Sequence, residues 1–182
     1  MRFSSALPYV LTALALASFP IVATAPMLAA AQQIPAQPAF SAPTRMFIPS
    51  ISLDDPVVRV GITQSGAMAV PSGSTNQVGW YESGTVPGQI GSAVFDAHVF
   101  AAFSNLSGVK PGDDIYVQEG SQLLHFVVGQ AQTYPLAALS PAQLFSRAGG
   151  RYLTLITCAG KYIPAQGTYN ERLVVYAQLA NQ

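Results

Sequence analysis

The chain has 182 residues, of which 50% are hydrophobic and only 9% charged, with a formal net charge of zero. That balance excludes a surface built to hold nucleic acid or an anionic membrane by charge, and neither is expected as a partner of the folded part. With 15 Gly and 14 Pro, long helices are disfavoured and short strands joined by turns are expected.

Arg2 is the last charge before Arg45, and between them runs the apolar stretch "ALPYVLTALALASFPIVATAPMLAAA". One positive charge, an apolar run and small residues at Ala29, Ala30 and Ala31 read as an export signal. The run is also long enough to span a bilayer if it stays attached. Both readings of residues 1–31, signal peptide or N-terminal membrane anchor, place the rest of the chain outside the cytoplasm. Residues 32–44, rich in Pro and Gln and free of charge, read as an extended linker. The folded domain is therefore expected over residues 45–182.

"RMFIPSISL" (45–53) alternates and is interrupted by Pro49, and "PVVRVGI" (56–62) is a β-branched run closed by a glycine. "GAMAVP" (66–71) reads as a short strand, and "GSAVFDAHV" (91–99) as a small apolar strand with His98 at its far end. "KPGDDIYVQEG" and "QLLHFVVGQAQTY" form a hairpin about Glu119 and Gly120. "SPAQLFSRA" (140–148) is the one helical segment, with Ser140 able to cap and Pro141 suited to the first turn. "RYLTLITC" (151–158) is a buried type of strand, the loop "AGKYIPAQGTYN" comes after it, and "ERLVVYAQL" (171–179) closes the chain. About eight strands with one or two short helices and no βαβ rhythm give a mainly β fold, a barrel or sandwich.

Cys158 is the lone cysteine, so an exported chain has a leftover thiol exposed to oxidation. Two readings compete. Free cysteine is among the most buried residue types, whereas a thiol at a strand end beside a base is a usable nucleophile. His98, before a loop, is the better candidate base, and His125 in "LLHFVV" reads as an ordinary strand residue. Arg172 could stabilise an oxyanion or simply pair with a surface acid. No metal spacing, phosphate loop or serine-hydrolase elbow is present in the sequence, and no cofactor is expected.

The residues also carry a resemblance. "TLITC" resembles the signature of sortases, the cysteine transpeptidases that attach proteins to bacterial surfaces. "FIPSISLDDPVVRVGITQSGAMAVP", "VGWYESGTVPGQIGSAVFDAHV", "LSGVKPGDDIYV" and "ERLVVYAQL" are similar, in order, to the other characteristic segments of that family, over about residues 45–179. The "VGWY" and "PG" elements resemble class F members most. The resemblance implies a closed sortase-type β-barrel, with Cys158 as nucleophile, His98 as its proton partner and Arg172 holding substrate and oxyanion. It also implies cleavage of an LPXTG-like sorting motif between Thr and Gly, with transfer to an amine acceptor such as a cell-wall precursor or pilin. Surface proteins bearing the motif would be the partners, and the N-terminal segment the tie to the membrane. A peptidase without transfer and an inactive assembly or adhesion module are the alternatives. Ala97 stands where the family commonly has Gly, and Phe100 where class F relatives often have Asp.

Overall fold

Pro49 ends the first strand because its ring removes a backbone donor and fixes φ. In the computed structural model, which describes residues 40–145 and 149–180, strand β1 (Pro43–Ile48) gives way at Pro49–Ile51 to a 3-10 turn. Ser52 then takes a left-handed conformation, φ 55°, and the chain reverses into β2 (Leu53–Val60). The two strands pair antiparallel, Ile48 with Leu53 and Arg45 with Pro56. β1 therefore begins at Pro43, inside the stretch expected to be linker. The proposed signal or anchor at residues 1–31 lies outside the described residues. Among the described residues no helix is long and apolar enough to cross a membrane.

The expected strand at residues 66–71 is absent. It forms only an isolated bridge between Ile62 and Met68. The third strand is instead β3 (Val78–Tyr81), which runs parallel to β2. Its four residues carry almost no alternation, because Val78, Gly79 and Trp80 are all buried. Next come β4 (Gly91–Asp96), β5 (Asp114–Glu119), β6 (Gln122–Pro135), the short helix α1 (Pro141–Phe145), β7 (Arg151–Ile163) and β8 (Thr168–Leu179). Gln143 reaches back to accept from the Ser140 N–H at 2.7 Å, one half of a capping box that starts α1. The last part of the expected helix, residues 146–148, lies outside the described residues. Hairpin β5–β6 turns at Gly120 (φ 52°), as expected.

The strands close into a barrel in the order β1-β2-β3-β4-β7-β8-β6-β5. The expectation of a mainly β, closed barrel of about eight strands with few short helices holds. Period-2 alternation sends one set of side chains inward. Met46, Ile48, Phe95, Ile115, Val117, Phe126, Leu153, Leu155 and Val175 fill the interior and are fully buried. Each such side chain contributes about 1.5–3 kcal/mol of burial.

Strands β4, β7 and β8 are buried on both faces. Their outward residues Val94, Ile156, Val174 and Tyr176 form a second cluster, covered by Met68, Tyr81, Leu139, Leu144 and Phe145. This is why "LTLIT" reads as a continuous apolar run rather than an alternating one. It also defines a groove on the outside of the barrel, between this wall and the segments that cover it.

Candidate active site

β4 and β7 run parallel, with Asp96 beside Ile156, and β7 and β8 run antiparallel, with Cys158 directly opposite Arg172. Residues directly opposite in an antiparallel pair point to the same face, with Cα atoms about 4.5–5.5 Å apart. Asp96, Cys158 and Arg172 therefore continue the outward rows that hold Val94, Ile156 and Val174. All three, with His98, line a groove of about 820 Å3.

His98 is placed by the turn that leaves β4. The Thr157 hydroxyl donates to the Ala97 carbonyl at 2.7 Å, a buried bond that ties the end of the "TLIT" run to the residue before His98. The His98 carbonyl then accepts from the N–H groups of Ala101 and Phe103 in a tight turn. Ala97 is itself buried against the barrel core and also lines the groove beside His98. Phe100, largely exposed, stacks on the His98 ring with centroids 4.8 Å apart and planes at 16°. Gly73 lies against this pair, and a Cβ there would come within 3.0 Å of the Phe100 ring.

Cys158 is not at a strand end. β7 continues to Ile163, and the expected loop 159–170 is mostly an extension of the β7–β8 hairpin, with a 3-10 turn at Pro164–Gln166. The register shifts between Ala159 and Tyr162, where Gly160 adopts φ 77°. A bulge with a left-handed glycine lets a strand absorb an extra residue and continue, so the segment expected as a loop stays paired instead. Arg172, likewise, is inside β8 rather than at its start.

The Arg172 guanidinium is held by its own strand. It donates to the carbonyls of Tyr169 (3.0 Å) and Glu171 (2.8 Å) and to the Thr168 hydroxyl (3.0 Å). No ion pair joins it to an acid among the described residues. The Cys158 thiol is pushed above its ordinary pKa by burial; Arg172 opposes this, Asp96 adds to it, and the Tyr169 backbone N–H opposes it. Asp96, to which the sequence alone assigns no role, is pushed up to about 7 by burial, against the pull of Arg172 and of the Ala97 N–H. The signal for it was a lone acid in the apolar strand "SAVFDA".

His125 is elsewhere. It is on the outward face of β6, paired with Asp114 at 2.7 Å and stacked on Tyr116. Among the described residues no three His, Cys, Asp or Glu side chains gather as a metal site requires.

A family model described as the sortase domain matches residues 46–180. The chain belongs to the sortase family. Sortases are cysteine transpeptidases, generally associated with the cell surface. Several solved sortases share the fold. Sortase C2 of pilus island 1 from group B Streptococcus is 24% identical, over 76% of this chain and 73% of that one, with a TM-score of 0.57. The sortase D5 transpeptidase of Clostridium perfringens is 16% identical, over 77% and 79%, with a TM-score of 0.58. Sortase A of Listeria monocytogenes is 20% identical, over 76% and 86%, with a TM-score of 0.57. These neighbours span classes A, C and D. No curated protein matches the chain.

Proposed function

We propose that this sortase is an extracytoplasmic transpeptidase in which Cys158 is the nucleophile, His98 the proton carrier and Arg172 the group that holds the substrate carbonyl. One observation carries the reading: Cys158 faces Arg172 across β7–β8, and both open with His98 onto one groove. Much of the rest of that groove is apolar, lined by Val70, Val94, Leu139, Leu144 and Ile156 among others. It suits a peptide whose residues before the scissile bond are apolar, as in an LPXTG-like motif.

In the proposed cycle the Cys158 thiolate attacks the Thr carbonyl carbon. The resulting oxyanion is met by Arg172, whose three internal hydrogen bonds fix its position in advance. The C–N bond breaks as His98 gives a proton to the leaving Gly amine. An acceptor amine then attacks the thioester, returns its proton to His98 and frees Cys158. Burial pushes the Cys158 thiol up, and Arg172 pulls the other way, towards the thiolate that attacks.

The substrates are motif-bearing surface proteins, and the acceptor is a cell-wall precursor or pilin-like amine. Residues 1–31 supply the tie to the membrane. The "VGWY" segment and Pro87–Gly88 favour a class F-like member. A second reading, an inactive assembly module, is favoured by Phe100, which stacks on the His98 ring at 4.8 Å. The chain is incubated with a library of LPXTG-like peptides and triglycine and read by mass spectrometry. Ligated product supports the transpeptidase, cleavage alone means a peptidase without transfer, and no product from any peptide supports the module.

A further inference from the structure

Among the described residues lining the groove, Asp96 is the sole carboxylic acid. The transfer cycle does not use it. Its place is fixed by register: it pairs with Gly79 of β3 on one side and with Ile156 of β7 on the other. Cys158 is the next outward residue along β7 after Ile156, and Arg172 stands opposite Cys158. The Arg172 N–H groups go to Tyr169, Glu171 and Thr168, and no hydrogen bond or ion pair among the described residues commits the guanidinium to Asp96. One cation thus serves two acids across the groove and is bound to neither.

We propose that Asp96 is a positioning residue that acts as an electrostatic brake on Cys158. In the empty groove its carboxylate draws on the field of Arg172 and keeps the sulfur as a thiol, and its protonation releases the thiolate. The inference rests on Cys158 being the nucleophile and adds how that nucleophile is held in reserve. Burial, Arg172 and the Ala97 N–H together leave Asp96 titrating near neutral pH, so both of its states are within reach. Its carboxylate opposes ionisation of Cys158. The other ionisable groups lining the groove with Asp96, Cys158 and Arg172 are His98 on the loop beyond β4, Tyr81 on β3, Tyr162 on β7 and Tyr169 on β8. Helix α1, packed over β4, brings none.

The device has two consequences. A thiolate outside the cytoplasm is the form most readily oxidised, and a braked thiol is spared while the groove is empty. An apolar peptide that fills the groove strips water from Asp96, which favours its neutral form. The field of Arg172 then acts on the thiolate alone. Substrate entry is the release.

The test compares iodoacetamide alkylation of Cys158 from pH 5 to 10 in the full chain and in Asp96→Asn. The thiolate displaces iodide, so the rate reports its fraction. Below about pH 6, where Asp96 is neutral, the two proteins should react alike. The ratio of variant to parent should climb severalfold between about pH 6 and 8, as Asp96 ionises in the parent. It should close again once both thiols are ionised. A ratio of one or less at every pH overturns the brake, and a constant excess would mark a structural change instead and overturns it too. Carbon-13 NMR of the unaltered protein gives an independent reading. A midpoint for the Asp96 carboxyl near 7 supports the proposal, and one near the ordinary 3.9 overturns it. Neither readout needs a sorting peptide, so a failed transfer assay and a failed brake are distinguishable.

Discussion

The same three strands, β4, β7 and β8, present two faces with different duties. Inward, Phe95, Leu155 and Val175 are fully buried in one barrel core. Outward, one residue along β4 and three along β7 and β8, Asp96, Cys158 and Arg172 line the groove. A one-residue step reverses every side chain on a strand, so the core that fixes the register also fixes the alignment of the chemistry. The inward face supplies free energy of folding, and the outward face uses the precision that this packing provides.

Substitutions can set the two faces against each other. On the outward face, Cys158→Ala should cut transfer by at least a thousandfold, the scale of losing a nucleophile, while the melting temperature barely moves. Steady-state rates and thermal melts check this. On the inward face, Leu155→Ala should cost about 2–5 kcal/mol of stability through the cavity it leaves. Below its lowered melting temperature, denaturant curves should show the loss while the pH profile of alkylation keeps its shape. Thr157→Val breaks the link between the faces. It leaves the Ala97 carbonyl without its buried donor, worth about 1–3 kcal/mol, and loosens His98 relative to Cys158. Transfer should suffer in kcat more than in KM.

Glu119 sharpens the comparison from the far side of the barrel. It is buried and pushed up to about 7 by burial, with the Ser41 N–H pulling the other way. One oxygen accepts from that N–H at 3.4 Å, and the other has no partner among the described residues. Its folded pKa exceeds its unfolded value, so the folded state holds the proton more tightly. Its contribution is full below about pH 4.3, the ordinary Glu value, and is lost as pH rises towards 7. Glu119→Gln should flatten that decline in thermal melts between pH 4.5 and 7.5, without altering Cys158 alkylation. The smallest effect is expected at His125→Gln. Its partly exposed pair with Asp114 is of the kind worth less than about 1 kcal/mol, and transfer rates should be unchanged.

Much of this was legible in the residues. Pro49, the hairpin about Gly120 and the double-sided apolar run before Cys158 gave the barrel its main punctuation. Signature residues singled out Cys158, His98 and Arg172, which the fold brings to one groove. The features that stayed hidden depend on pairing across the sheet. β3 is four residues long with a glycine inside it, and only its neighbours β2 and β4 make it a strand. Residues 66–71 read as a short strand, yet Met68 is used to cover Val94 and Ile156 rather than to extend the sheet. The segment after Cys158 read as a loop because a bulge requires a partner strand to show itself. Asp96 was missed for the same reason: an acid in an apolar strand has no meaning until Cys158 and Arg172 are known to stand beside it.

The most direct test of the central claim is the intact mass of the protein during turnover with a cleaved peptide. The account predicts an adduct equal to the peptide's N-terminal fragment, mapped to Cys158, discharged by an added amine and absent in Cys158→Ala. Peptide turnover that persists in Cys158→Ala, with no adduct on the unaltered chain, would contradict it.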